Sequence, residues 1–169
     1  LNSPFEGFIQ IAAGTDWSLY LLLKSIISTE SAWNPNAVRP EPRIHDAYYG
    51  LMQILLKTAQ WLGYPGSGDG LFDPSVNIYY GSKYLKWQLQ RYPDILSDAI
   101  SAYNGGSARR ASGGGYVNQR YVDEVQTFQV TPLAQALEVE HTGGTVHLPA
   151  VQVRPVQQSL FAAHSTLTD

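Results

Sequence analysis

Apolar residues recur at helical spacing over most of the first 128 positions and lose that spacing afterwards. Leu19, Leu22, Leu23, Ile26 and Ile27 share one face of a predicted helix from Trp17 to about Ser31, with Asp16 as its cap. Ahead of it, Ser3-Pro4-Phe5-Glu6 reads as a capping box with Pro in the first turn, opening a short helix to about Ala13. Asn34-Pro35 closes the second helix, and the prolines at 35, 40 and 42 predict a loop over 34–46. A further helix is expected from about Leu51 to Leu62, then a Gly-rich turn over 63–70. Asp73-Pro74 opens a long helix to about Arg91. Asp94 is placed to cap another through about Tyr103, which Asn104-Gly105-Gly106 ends. Gly113 to Gly115 reads as a flexible link. Val117, Tyr121, Val125 and Phe128 line one face of a final helix from Tyr116.

The pattern gives a mainly α domain over residues 1–128. An irregular tail over 129–169 follows, either wrapping the domain or linking it onward, with a short strand or hairpin expected over Thr142 to His147.

Composition narrows the function. A net charge of −3 argues against a nucleic-acid partner held by phosphate neutralisation. The absence of cysteine removes disulfides and thiolate metal sites. His45, His141, His147 and His164 show no metal-ligand spacing, so no metal or other cofactor is expected. The apolar run beginning at Leu19 is broken by Lys24-Ser25 and is shorter than the roughly 20 residues that span a bilayer. A soluble protein without membrane insertion is therefore expected.

Chemistry concentrates in four short segments. Glu30-Ser31 lies at the C-terminal end of the most apolar helix, where the helix dipole disfavours an anion and raises a carboxyl pKa. A glycosidase acid needs such a carboxyl, protonated near neutrality. Gly50-Leu51-Met52-Gln53 follows the Pro-rich stretch. Tyr103-Asn104 sits at the end of a helix, where a Tyr and an amide can meet a sugar's acetamido group. Tyr121, on the last helix, can hold Glu30 by its hydroxyl.

In this order, from about Asp16 to Phe128, the segments resemble the lytic transglycosylase family related to soluble bacterial lytic transglycosylases and goose-type lysozymes. The resemblance implies a lysozyme-like all-helical domain with a groove for glycan. It implies Glu30 as the catalytic acid/base with Ser31 beside it. By the same likeness Gly50, Leu51, Met52 and Gln53 line the groove, Tyr103 and Asn104 contact the sugar beside the cleaved bond, and Tyr121 orients Glu30. Trp33 fills the aromatic position after the Glu.

The implied reaction cleaves the MurNAc-GlcNAc β-1,4 bond of peptidoglycan and leaves 1,6-anhydromuramoyl ends. A hydrolytic goose-type muramidase and a non-catalytic wall-binding virion module are the alternatives. The implied partner is the glycan strand, joined by other virion proteins in a phage setting. The implied place of action is outside the cytoplasmic membrane, in a phage virion-associated or secreted enzyme. Two stretches depart from the family pattern. Residues 39–49 are longer and more charged, which suggests a lid or altered glycan subsites, and the tail after Gln129 matches nothing in it.

Overall fold

The computed structural model describes residues 3–128. Helix α1 (Glu6–Ala13) packs on α2 (Trp17–Ser31), whose first turn is fixed by the Asp16 carboxylate accepting from the Leu19 N–H at 3.0 Å. Leu22, Leu23, Ile26 and Ile27 are fully buried, so α2 is the central helix of the core. Each such side chain contributes about 1.5–3 kcal/mol by leaving water. Ala32 and Trp33, at φ 49° and 67°, stop α2 immediately after Glu30-Ser31.

The expected 34–46 loop is instead a sheet. β1 (Val38–Glu41) and β2 (Asp46–Tyr49) form an antiparallel hairpin with a 3₁₀ turn over Pro42–Ile44 at its tip, and β3 (Ile54–Leu55) pairs with β2. Pro40 is tolerated because β1 is an edge strand. The stretch expected as a lid or altered subsites is thus a hairpin.

The helix expected from Leu51 begins five residues later, as α3 (Leu56–Trp61). Residues 50–53 form a tight turn in which the Gln53 N–H donates to the Gly50 carbonyl at 3.2 Å. Gly50 at φ 67° and Gln53 at φ 46° are both left-handed, and neither fits a right-handed helix. Gly50 has no room for a side chain. A Cβ there would lie 2.4 Å from the Asn77 amide nitrogen and 2.6 Å from the Leu71 carbonyl oxygen.

Helix α4 (Pro74–Arg91) starts as expected, with Asp73 accepting from the Ser75 and Val76 N–H groups. Its Asn77 is fully buried and stitches the turn in place. The Asn77 side-chain Oδ1 accepts from Met52 N–H at 2.8 Å, and its Nδ2 donates to the Tyr49 and Leu71 carbonyls at 2.8 and 2.7 Å. Helix α5 (Leu96–Gly105) is capped by Ile95 rather than Asp94, without a side-chain cap bond, and ends on left-handed Gly106.

Two further expectations are corrected. Ser3 does not cap α1; its hydroxyl accepts from Phe5 N–H, Phe5 is the cap, and Glu6 pairs with Lys24 of α2 at 3.3 Å. The last helix, α6, covers 119–128 rather than starting at Tyr116, because Tyr116 is drawn into an antiparallel bridge with Arg110. The glycines at 113–115 make the turn of that bridge, closed by Ala111 N–H donating to the Gly115 carbonyl at 3.2 Å. The domain is therefore mainly helical with a small sheet. The tail over 129–169, including the 142–147 hairpin, lies outside the described residues.

Candidate active site

A groove of about 330 Å³ opens at the end of α2, between the sheet and the start and end of α3 and α5. One wall is a cross-strand row. Arg39 pairs with Tyr48, and Tyr48 pairs with Leu55, so all three face the groove together. The Arg39 guanidinium lies 4.1 Å from the centre of the Tyr48 ring, which fixes it by a cation–π contact. The opposite wall comes from α5 and the segment after it: Tyr103, Asn104, Gly105, Gly106 and Arg109. Thr58 of α3 and Tyr84 of α4 close one end.

Glu30 sits at the floor, half-buried and opening into the groove. Burial pushes its carboxyl up from the ordinary 4.5 to about 7. Three neighbours pull the other way: the Tyr121 hydroxyl, the Arg39 charge and the Asn104 amide. The rise expected from the sequence is present, but its main cause is desolvation by the surrounding core. At neutral pH such a carboxyl exists in both forms, as a group that gives and then takes a proton requires. Glu30 is the groove's one carboxylate among the described residues.

The supporting shell is specific. Asn118, just before α6, donates to the Asn104 side-chain oxygen at 3.0 Å and to the Ser101 carbonyl at 3.0 Å, while accepting from the Ser101 hydroxyl at 2.6 Å. With its oxygen taken, the Asn104 side chain presents its NH₂ toward Glu30. The Tyr103 hydroxyl donates to the Met52 carbonyl at 2.9 Å. Its proton is therefore engaged, which leaves the Tyr103 oxygen as an acceptor. The Tyr121 hydroxyl is buried behind Glu30. Among the described residues it reaches no partner within hydrogen-bonding geometry, yet it lies near enough to Glu30 for each group to perturb the other's titration. Burial first, then the Glu30 charge, drive both Tyr103 and Tyr121 well above the usual phenol range.

The remaining site candidates divide by place. Gln53 lines the groove, with its amide donating to the Ala37 and Gly50 carbonyls at 3.1 and 3.0 Å. Leu51 and Met52 do not line it. Both are fully buried, so they serve the site from the core, Met52 through its carbonyl. Gly50 lies behind the turn against Asn77. Ser31 bonds the Ile27 carbonyl within its own helix at 3.1 Å, outside the groove lining. Trp33 packs against the core, and no acidic, His or Cys cluster among the described residues could hold a metal.

A family model described as the transglycosylase SLT domain matches residues 8–124. The chain belongs to that family. The SLT domain match runs from α1 into α6 and takes in every residue lining the groove. Over 99 residues the chain is 34% identical to the membrane-bound lytic murein transglycosylase F 1 of Alkalilimnicola ehrlichii, covering 55% of this chain and 18% of that protein. Over 86 residues it is 35% identical to a transglycosylase of Enterobacteria phage PRD1, covering 51% of this chain and 29% of that one. The fold is similar to that of a 70-kDa soluble lytic transglycosylase solved in complex with bulgecin A. That likeness has a TM-score of 0.59 at 23% identity over 83% of this chain and 25% of the other. The chain thus spans less than a third of the length of the relatives it matches.

Sequence reasoning did not single out Arg39, Tyr48, Leu55, Thr58, Tyr84, Arg109 or Asn118. A faint signal existed for the hairpin, because Tyr48-Tyr49 ends on Gly50 as a strand would. Asn118 and Tyr84 carry no local signal, since their roles depend on partners many residues away.

Proposed function

We infer that this SLT domain cleaves the glycan of peptidoglycan as a lytic transglycosylase, with Glu30 as both acid and base. The single observation carrying this reading is a carboxyl titrating near 7 in a groove with no second carboxylate among the described residues. An ordinary glycosidase needs two. Peptidoglycan can supply the missing group itself. Protonated Glu30 gives its proton to the glycosidic oxygen as the bond to the anomeric carbon breaks, and the 2-acetamido oxygen of MurNAc bonds that carbon from the other face. The Glu30 carboxylate then takes the proton of the 6-hydroxyl, and O6 displaces the acetamido oxygen. Glu30 ends protonated, no water is consumed, and the product is a 1,6-anhydromuramoyl end.

Asn104, with its NH₂ directed into the groove, serves the ionised form of Glu30 midway through the cycle and is placed to meet an acetamido carbonyl. Tyr121, buried behind the carboxyl, favours its ionised form. The place of action on this reading is the cell wall, outside the cytoplasmic membrane, in a phage-borne or bacterial setting. Mass analysis of digested sacculi is the test. Muropeptides one water lighter than hydrolytic products, with ends that borohydride does not reduce, are expected. Reducing muramic acid ends would replace the reading with a muramidase that uses the same Glu30. No release at all would leave a wall-binding module.

A further inference from the structure

Beyond the groove, α3 and α4 leave a second, shallower cleft of about 300 Å³ that shares Thr58, Tyr84 and Gly106 with it. The two spaces adjoin at these three residues. Trp61, the last residue of α3, stands there 59% exposed. Around it lie Lys57, Thr58, Tyr84, Trp87 and Gly106.

Trp61 is also the end of an aromatic file. The Tyr103 ring beside Glu30 lies 5.3 Å from Tyr84. Tyr84 stacks on Trp87 at 5.9 Å with an interplanar angle of 16°. Trp87 meets Trp61 edge-on at 5.0 Å and 76°. Each step is about the size of a pyranose ring. The file is held rigid from below: the Gln88 amide bonds the Tyr84 hydroxyl at 2.8 Å, and the Arg91 guanidinium lies 5.3 Å from the centre of the Trp87 ring. Helical spacing produces the line. Residues 58 and 61 on α3, and 84, 87 and 91 on α4, are three or four apart and share a face.

A sugar ring has an apolar C–H face and a hydroxylated rim. An aromatic face beside a wet edge, with the Thr58 hydroxyl nearby, matches both. We propose that Trp61, backed by Trp87 and Tyr84, forms a distal stacking subsite for a further sugar of the glycan strand whose scissile bond lies at Glu30. The proposal rests on the glycan-cleaving reading and adds to it a length preference. The platform is preorganised, so little side-chain entropy is lost on binding.

The test compares long glycan strands with a tetrasaccharide of the same repeat, using wild type, Trp61→Ala and Trp61→Phe. Trp61→Ala is expected to raise KM for long strands about tenfold, equivalent to about 1.4 kcal/mol, with kcat preserved and the effect confined to long strands. Trp61→Phe should recover most of the loss. Calorimetry with long strands in a Glu30→Gln background should show the same loss of affinity on Trp61→Ala, so binding is read without turnover. Equal effects on long and short substrates, no effect on either, or a fall in kcat alone would overturn the subsite. If wild type yields no cleaved glycan while long strands still bind through Trp61, the catalytic reading fails and the subsite stands.

Discussion

A single side chain, Glu30, carries both a catalytic and a stability consequence. The folded protein holds its proton up to about pH 7, whereas an unfolded Glu releases it near 4.5. Folding stability therefore falls as pH rises through that window, by on the order of 3 kcal/mol once above it. Glu30→Gln removes the penalty. Its melting temperature should match wild type at pH 4 and exceed it by roughly 5–10 °C at pH 8, while lysis of sacculi is lost. Equal melting temperatures at pH 8 would show that the carboxyl is not destabilised by burial. Activity should decline as pH rises through about 7, where the acid is lost. Arg39 and Tyr121 both favour the carboxylate, so Arg39→Gln and Tyr121→Phe should each move that decline to higher pH. Tyr121→Phe should also lower kcat more than it weakens glycan binding, because the ionised carboxyl loses the buried hydroxyl that favours it. An unshifted pH–rate profile in both variants would contradict the electrostatic account. The Phe variant should fold normally, since the hydroxyl it removes is buried without a well-formed bond.

Among the elements, the turn between β2 and β3 is the joint on which the groove depends. Leu51 and Met52 anchor it in the core, but its buried backbone groups take partners from other elements. Asn77 on α4 bonds Met52 N–H and the Tyr49 and Leu71 carbonyls, and Met52 in turn accepts from Tyr103 on α5. Replacing Asn77 by Leu leaves one buried N–H and two carbonyls without that partner. A loss of about 3–5 kcal/mol is expected in denaturant unfolding, with activity failing alongside as Gln53 and Tyr103 lose register. A stability change below about 1 kcal/mol would show the turn to be self-supporting. Gly81 makes a similar close approach, since a Cβ there would lie 2.5 Å from the Met52 sulfur.

At the scale of the whole molecule, the groove is assembled from α2, the sheet, α3, α4 and α5, and α6 carries Tyr121 behind it. All the groove-lining residues precede position 110, and the SLT match ends at 124. A chain ending after Phe128 is accordingly expected to retain glycan cleavage, checked by product mass on sacculi. A truncated protein shown by circular dichroism to be folded, yet inactive, would assign the tail a part in the reaction.

The helices whose ends are written locally were legible in the sequence. Asp16 and Asp73 each cap the helix that follows, and a helical stripe places Leu22, Leu23, Ile26 and Ile27 inward, because caps and periodicity act over a few residues. Glu30 could likewise be singled out from its place at the end of that apolar helix. The hairpin could not, because prolines at 40 and 42 read as loop and only the position of β1 at the sheet edge makes Pro40 compatible with a strand. Leu51 and Met52 looked like a helix start because their apolar character does not distinguish a buried turn from a first helical turn. Left-handed Gly50 and Gln53, held by Asn77, decide it. The tertiary structure alone fixed the charge state of the site. A helix terminus can bias a carboxyl, but its titration near 7 comes mainly from burial by the surrounding protein, opposed by Tyr121, Arg39 and Asn104, and no local stretch of chain contains those neighbours together.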